Sequence, residues 1–332
     1  MNPTMIRMTT LLMRKNKALI FILIVMVSIA SAQKVKKTNV FTEGETPFSS
    51  NMSSELDVNE YIDSTKISPA TYDRLKKIKV LVEKESFQQI FDELEAVPKK
   101  EMDENPMIYA LKALAAMNVK NYPAATTALE QAIANVKDDA LNSGLYNMLG
   151  YVDMQGDYRI SAVQNFKFSH KLDPGNVAPI VMLGAVSMEN GNTDDAISYY
   201  EKAVKLVPPS NSVWNNLGFL YQGKGRHTEA IAIFDKTIIA IPDKAAFSFN
   251  NRAYSKLQIG QAKEALADVE RSIEIYPENP YAFRNRALIY IAMSKTDLAC
   301  ADLKKAQALG FEQKFGTEVK ELISKYCLKN TK

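Results

Sequence analysis

Residues 211–244 read NSVWNNLGFLYQGKGRHTEAIAIFDKTIIAIPDK. Trp214, Leu217, Gly218 and Tyr221 stand at i, i+3, i+4 and i+7, which puts them on one face of a helix. Gly223 and Gly225 follow and can supply a turn with positive φ. Ala230, Ile231, Phe234, Ile238 and Ile239 then mark a second helix, and Pro242 stops it because proline cannot continue the ladder. The stretch predicts a helix–turn–helix, with Gly218 and Ala230 small where the two helices cross closely.

The same spacing recurs on both sides. Ala125, Ala162, Ala196, Ala230, Ala265 and Ala299 are separated by 37, 34, 34, 35 and 34 residues. Twelve residues before each stands a small residue: Ala113, Gly150, Gly184, Gly218, Ala253 and Ala287. Four residues after each stands a large apolar one: Leu129, Phe166, Tyr200, Phe234, Val269 and Leu303. Pro174, Pro208, Pro242 and Pro277 close four of the six units. A fixed period of this length is the mark of a repeat architecture.

The unit resembles the tetratricopeptide repeat, whose W-x₂-L-G-x₂-Y…A-x₃-F…P pattern is matched by Trp214, Leu217, Gly218, Tyr221, Ala230, Phe234 and Pro242. The other units match less fully: Lys256 holds the usual Tyr place, Phe311 replaces a closing proline, and Gly156 stands one place early for its turn. The resemblance implies an all-α, right-handed solenoid of about six helix pairs over 106–313, as units 106–139, 143–176, 177–210, 211–244, 246–279 and 280–313. A helix pair over 72–105 and a helix over 314–332, N-capped by Thr317, are expected to close the ends.

Upstream, residues 18–30 form an apolar run broken only by Ser28, too short for a span of about 20 residues. Arg7, Arg14, Lys15 and Lys17 precede it and Ala30-Ser31-Ala32 follows, the layout of a secretory signal peptide over 1–32 cut before Gln33. Met13, followed by Arg14-Lys15-Asn16-Lys17, would itself make a compact start. The alternative is an uncleaved anchor. Residues 33–71 are polar without sustained period and read as a poorly ordered arm, or as one that folds on a partner. The expected location is the periplasm or the exterior, with no membrane span after cleavage.

Composition narrows the function classes. The 332 residues are 46% apolar and 24% charged, which excludes a mainly disordered, collagen-like or polytopic membrane chain. Four of the 41 basic residues sit in the leader, which removes the positive excess over 38 acids from the rest. Net charge therefore gives no support to a nucleic-acid partner. The two histidines, His170 and His227, lie far apart without ligand spacing, and no catalytic motif of H-E-x-x-H, G-x-S-x-G or C-x-x-C type occurs. The chain is read as no enzyme, without cofactor or metal. Met107, Met117, Met148, Met154, Met182 and Met188 read as core residues or as a soft apolar groove.

In the resemblance, the first helix of each unit lines an inner groove. Its groove-facing places are Asn147 and Tyr151; Asn215, Asn216 and Phe219; Asn250, Asn251 and Tyr254; and Tyr281, Arg284, Asn285 and Leu288. Asn carries both donors and an acceptor, so a ladder of asparagines can bond an extended peptide backbone, with the aromatics as anchors; the bland alternative is that Asn is only a solvated polar residue there. The expected function is an interaction scaffold of the cell envelope binding a protein or peptide, with an envelope-glycan or cell-wall binder as the alternative. Cys300 and Cys327, the only cysteines, are expected to form one disulfide in an oxidising compartment, against two buried free thiols. N-terminal sequencing of the mature protein should begin at Gln33; a retained 19–27 segment would overturn the leader assignment.

Overall fold

A computed structural model describes residues 62–208 and 212–327. The signal peptide and most of the arm expected over 33–71 lie outside these residues. Among the described residues the fold is all-helical. The helices are α1 (Pro69–Glu83), α2 (Phe87–Glu95), α3 (Lys99–Glu104), α4 (Met107–Asn118), α5 (Tyr122–Asn135), α6 (Asp139–Gln155), α7 (Arg159–Leu172), α8 (Val177–Glu189) and α9 (Thr193–Ala203). Then follow α10 (Ser212–Gly223), α11 (His227–Ala240), α12 (Ala246–Gln258), α13 (Ala262–Ile275), α14 (Pro280–Ala292), α15 (Thr296–Ala308), α16 (Phe311–Phe315) and α17 (Glu318–Tyr326). The chain divides into two compact units at Leu183 and Gly184, within α8.

In each expected repeat the two helices form a hairpin, and the crossing is governed by one pair of side chains. A Cβ built on Gly218 would lie 2.5 Å from the Phe234 ring, and one on Gly150 would lie 2.7 Å from Phe166. On Gly184 it would lie 3.2 Å from Tyr200. All three rings are buried almost completely. Where the large residue is aliphatic (Leu129, Val269 and Leu303), the small one is Ala113, Ala253 or Ala287. Glycine faces an aromatic ring and alanine faces an aliphatic side chain, so the summed volume at the crossing is held nearly constant.

The turn between the two helices is equally regular. Its fifteenth place has positive φ in every repeat: Lys120 (63°), Asp157 (64°), Gly191 (77°), Gly225 (72°), Gly260 (81°) and Ser294 (59°). The turn glycine expected at Gly156 is not used; Gly156 has φ −85° as a helix cap, and Asp157 takes the left-handed conformation. Of the two turn glycines expected near 223–225, only Gly225 takes positive φ; Gly223 ends α10.

In the unit before Gly184, α1 and α2 turn at Glu85 (φ 51°) and bury Ile78 and Ile90 where the repeats have small residues. Residues 62–71, placed by sequence in the arm, belong to the fold. Ile62 is buried, Asp63 N donates to Asn105 Oδ1 (2.8 Å), and the Ser68 hydroxyl caps α1 by accepting from Thr71 N (3.3 Å). The cap of 72–105 also has a third helix, α3, after Pro98. Helix α6 starts at Asp139, ahead of the expected 143, because Asp138 accepts from Leu141 N (2.8 Å) and caps it there.

In the unit from Gly184 onward, α10 to α15 pack each on the next, and α17 packs on α15. The closing segment differs from the single helix expected over 314–332. Gly310 (φ 80°) and Gly316 (φ 94°) bracket α16, and α17 follows. Thr317 stands at the N-cap position of α17, yet its hydroxyl donates to Glu321 Oε1 (2.8 Å) and does not cap a backbone N–H. Tyr281 packs on Phe311 and Phe315 with ring centroids 5.2 and 4.1 Å apart, and Val319 is fully buried beside them. Cys300 and Cys327 are joined as a disulfide between α15 and the end of α17, with Cα atoms 5.7 Å apart.

Gly218→Ala is expected to destabilise the protein by about 1–3 kcal/mol through overpacking against Phe234. Adding Phe234→Leu recreates the Ala287–Leu303 type of crossing, so the double variant should be more stable than Gly218→Ala alone. Urea unfolding of the three variants reads this directly; strictly additive losses would contradict the volume pairing.

Candidate functional site

The first-helix face of the unit from Gly184 onward was expected to present a ladder of asparagines to a partner. The structure engages much of that ladder internally. Ser248 Oγ donates to Asn215 Oδ1 (2.7 Å), which ties α12 to α10. Asn285 Nδ2 donates to Asn250 Oδ1 (2.9 Å), which ties α14 to α12, and both asparagines are buried. The Asn216 amide favours the ionised Tyr200 hydroxyl, but burial dominates and pushes that hydroxyl up to about 12. Gln222 Nε2 adds bonds to Asn251 O (2.6 Å) and Ser255 Oγ (2.8 Å). A primary amide can donate and accept at once, so it suits the seam between neighbouring first helices. Asn250 and Asn285 are thus corrected from partner contacts to inter-repeat fasteners, while Asn215, held by Ser248, stays half-buried.

Two other expected contacts also turn inward. Tyr281 lies in the closing apolar cluster, its ring against Phe311 and Phe315. Burial pushes its hydroxyl up to about 12. The Arg284 guanidinium bonds Glu318 of α17 and Asn285 Oδ1, so the last helix already neutralises it. In the other unit, Asn147 is buried and Tyr151 is half-buried beside a recess.

What stays accessible has its own order. Asn216 and Phe219 are one helical turn apart on α10, and Asn251 and Tyr254 repeat that spacing on α12. Phe219 keeps 38% of its surface in water; Asn216, Asn251 and Tyr254 are half-buried. The Tyr254 ring has the His227 ring at 6.1 Å and the Arg284 guanidinium at 5.7 Å. His227, read from sequence as a surface residue, is therefore a half-buried neighbour of this patch.

Sequence reasoning missed a set of partly buried ion pairs that hold the two helices of a hairpin together. Arg252 donates to both Asp268 oxygens (2.8 and 2.5 Å) and to Asp235 Oδ1 (2.6 Å), and Lys256 Nζ also reaches Asp268 (2.8 Å). One repeat later, Arg286 grips Asp302 in the same bidentate manner (2.7 and 2.8 Å). Burial disfavours the Arg252 cation, but the Asp268 and Asp235 bonds outweigh it and hold its pKa above the ordinary value. For Arg286 the Asp302 bond dominates and has the same direction. The readable signal was an Arg in the seventh place, where Leu149, Leu183 and Leu217 stand elsewhere, with an Asp 16 residues on. Lys256, which departs from the usual Tyr, is explained by Asp268.

No group of three His, Cys, Asp or Glu that could hold a metal occurs among the described residues. Among them no helix is long and apolar enough to cross a membrane.

Family models of the tetratricopeptide repeat match residues 210–278 and 180–208. The fold is similar to the crystal structure of the C-terminal part of a TPR repeat-containing protein from Cytophaga hutchinsonii. That match has 20% identity and a TM-score of 0.59, and covers 71% of this chain and 95% of that one. It is also similar to a tetratricopeptide repeat protein from Parabacteroides merdae, with 18% identity, a TM-score of 0.50, and coverage of 77% and 98%. No curated protein sequence matches the chain. The family models and the shared all-helical solenoid fold support a tetratricopeptide repeat protein, and such repeats suggest a protein-interaction scaffold.

Asp268→Asn should strand Lys256 and leave Arg252 with Asp235 as its one carboxylate, and lower stability by about 3 kcal/mol. Asp302→Asn strands Arg286 alone and should cost less. The midpoints of urea unfolding order the two variants; equal or absent losses would show that these pairs do not hold the hairpins.

Proposed function

We propose that the protein is a non-enzymatic interaction scaffold of the cell envelope, exported by its leader, that holds an extended polypeptide against Phe219 and Tyr254. Asn216 and Asn251 stand one turn from these anchors and lend amides to the partner's backbone. The observation that carries this reading is Phe219 itself. It is an aromatic ring left 38% exposed on the helix whose opposite face buries Leu217 and Leu220. The rest of the former ladder fixes the spacing of the first helices and presents the two rings at a repeat interval.

Export is supported by the charged, apolar and small-residue order of the first 32 residues and by the pairing of both cysteines as a disulfide. Aromatic anchors dominate binding at such faces, and losing one can cost ~2 kcal/mol or more. Individual neutral hydrogen bonds contribute about 0.5–1.5 kcal/mol net.

The test is a pull-down from envelope extract with the mature protein, followed by affinity measurement on the recovered partner. Phe219→Ala and Tyr254→Ala should each weaken binding about 30-fold, more than Asn216→Ala or Asn251→Ala. Ile239→Ala, on the second helix of the same repeat, should leave it unchanged. Normal binding by both aromatic variants would move the site off this face. Retention on cell-wall material without any protein partner would replace this reading with the glycan-binding one.

A further inference from the structure

The groove-facing residues of the unit from Gly184 onward fall into two rows that cross the helices. The ninth place of each repeat gives Phe219 on α10, Tyr254 on α12 and Leu288 on α14, each partly in water. The sixth place gives Asn216, Asn251 and Asn285, each one helical turn before its apolar neighbour. An apolar row thus runs beside an amide row. A ligand that follows both lies across the helices and not along one of them.

Neither row carries a charge, and the second and fifth places beside them add only Arg284, which Glu318 of α17 neutralises. A charged partner side chain would lose water here and gain no opposite charge. The rim is aromatic as well. Phe247, at the second place of α12, is half in water and meets Tyr276 with ring centroids 6.0 Å apart. Hydrogen-bonding capacity remains in the amide row. Gln222 bonds the Asn251 carbonyl and leaves the Asn251 side chain without a hydrogen bond among the described residues.

The step of the rows discriminates between backbone conformations. Ser248 meets Asn215 (2.7 Å) near the start of α10 and α12, and Gln222 meets Ser255 (2.8 Å) near their ends, so the two helices lie side by side. Helices in such contact have axes about 8–10 Å apart, and each row advances by that step per repeat. A β-strand returns a side chain to the same face about every 7 Å and falls out of step. An α-helix bonds its own backbone and has no use for an amide row. A polyproline II segment advances about 9 Å per turn of three residues and leaves its carbonyls free. Proline has no N–H, so such a ligand asks the protein for donors, and the Asn amides and the Tyr254 hydroxyl are donors. Aromatic-lined grooves hold proline rings well, and a segment already stiff loses little entropy on binding.

We infer that the site proposed above takes an uncharged, proline-rich segment in the polyproline II conformation. One residue in every three rests on Phe219, Tyr254 and Leu288 in turn, with carbonyls toward Asn216 and Asn251. The inference rests on the Phe219 and Tyr254 reading and adds the class of partner, its direction across the helices and a third contact, Leu288.

The test titrates the mature chain calorimetrically with an acetylated, amidated peptide of four Ser-Pro-Pro triplets and with its Ser-Ala-Ala counterpart. The proline peptide should bind about tenfold more tightly than the alanine one. Its affinity should be the same in low salt and in ~1 M salt, because no ion pair contributes. Phe219→Ala, Tyr254→Ala and Leu288→Ala should each weaken it about tenfold, with unchanged far-ultraviolet spectra. Absent binding, equal affinities for the two peptides, loss of binding in high salt, or indifference to Leu288→Ala would each overturn the inference. Where capture of an envelope protein still depends on Phe219 and Tyr254, such a result removes the proline class and leaves the site. Where capture and peptide binding both ignore Phe219→Ala and Tyr254→Ala, the site itself is wrong.

Discussion

The distance between the two helices of each hairpin depends on one contact, between the eighth and twenty-fourth places of the repeat. Gly218 faces Phe234 where an added methyl would meet the ring at 2.5 Å. Ala287 faces Leu303 in the same position, and both are fully buried. The pairs exchange volume across the crossing, so the summed bulk there stays nearly constant in repeats of different sequence. Interiors are packed densely enough that a methyl group is felt. Once that separation is set, a short turn with one left-handed residue closes the hairpin, as Lys120, Asp157, Gly191, Gly225, Gly260 and Ser294 all do. Repetition of the unit then follows from repetition of this contact, and the aromatic and polar residues elsewhere are free to vary.

Polar groups work between and within hairpins where apolar packing is thinnest. Two devices recur: amides that tie one first helix to the next, and bidentate Arg–Asp pairs that tie the two helices of one repeat. Asn250 and Asn285 are the first kind, and Arg252 with Asp268 is the second. An isolated buried amide or guanidinium would be costly, but in these seams each finds a partner at hydrogen-bond distance. The consequence for function is selective. Of the residues on the first-helix face, those engaged in the seams set geometry, and only the remainder can meet a partner. Phe219 is the clearest member of that remainder because no seam contact covers its ring.

This division explains which features could be read from the sequence. The hairpins were legible because small, small and large residues recur at fixed offsets, and each offset has a steric cause. The face of the first helix was legible too, since residues 216, 219, 251 and 254 follow helical spacing. The neighbour of each residue was not. Nothing in the order of residues says that Asn285 will meet Asn250 in preference to water, because the seam is formed by helices 35 residues apart. Tyr281 was misplaced for a related reason. Its partners Phe311 and Phe315 lie after the last repeat, where the closing proline is missing and Gly310 and Gly316 create an extra short helix. Asp157 took the turn from Gly156 because position within the turn outranked residue preference, a strain that Asp tolerates better than most. The early start of α6 was readable in principle: Asp138 is a good N-cap, and the period of the repeat drew attention away from it.

The two terminal segments solve the same problem with different chemistry. A hairpin in a stack leaves one face that the next hairpin would cover, so the first and last must be closed by something that does not itself invite another copy. Toward the N-terminus, α1 and α2 keep the hairpin turn but replace the small crossing residues with Ile78 and Ile90, and Ile62 packs beside them. Bulk at the crossing forbids the repeat geometry while burying apolar surface. Toward the C-terminus the closing helix is short, and nine residues of α17 offer little intrinsic helical stability in isolation. It is held instead at both ends and in the middle: at its start Glu318 bonds Arg284 and Val319 enters the cluster of Tyr281, Phe311 and Phe315, Leu322 and Ile323 pack against that cluster in the middle, and Cys327 is joined to Cys300. A covalent link of this loop length contributes ~3–4 kcal/mol at most by constraining the unfolded chain, of the same order as burying one or two large apolar side chains. The disulfide therefore does at the C-terminal end what isoleucine bulk does at the other, and it can do so only where the two thiols are kept oxidised.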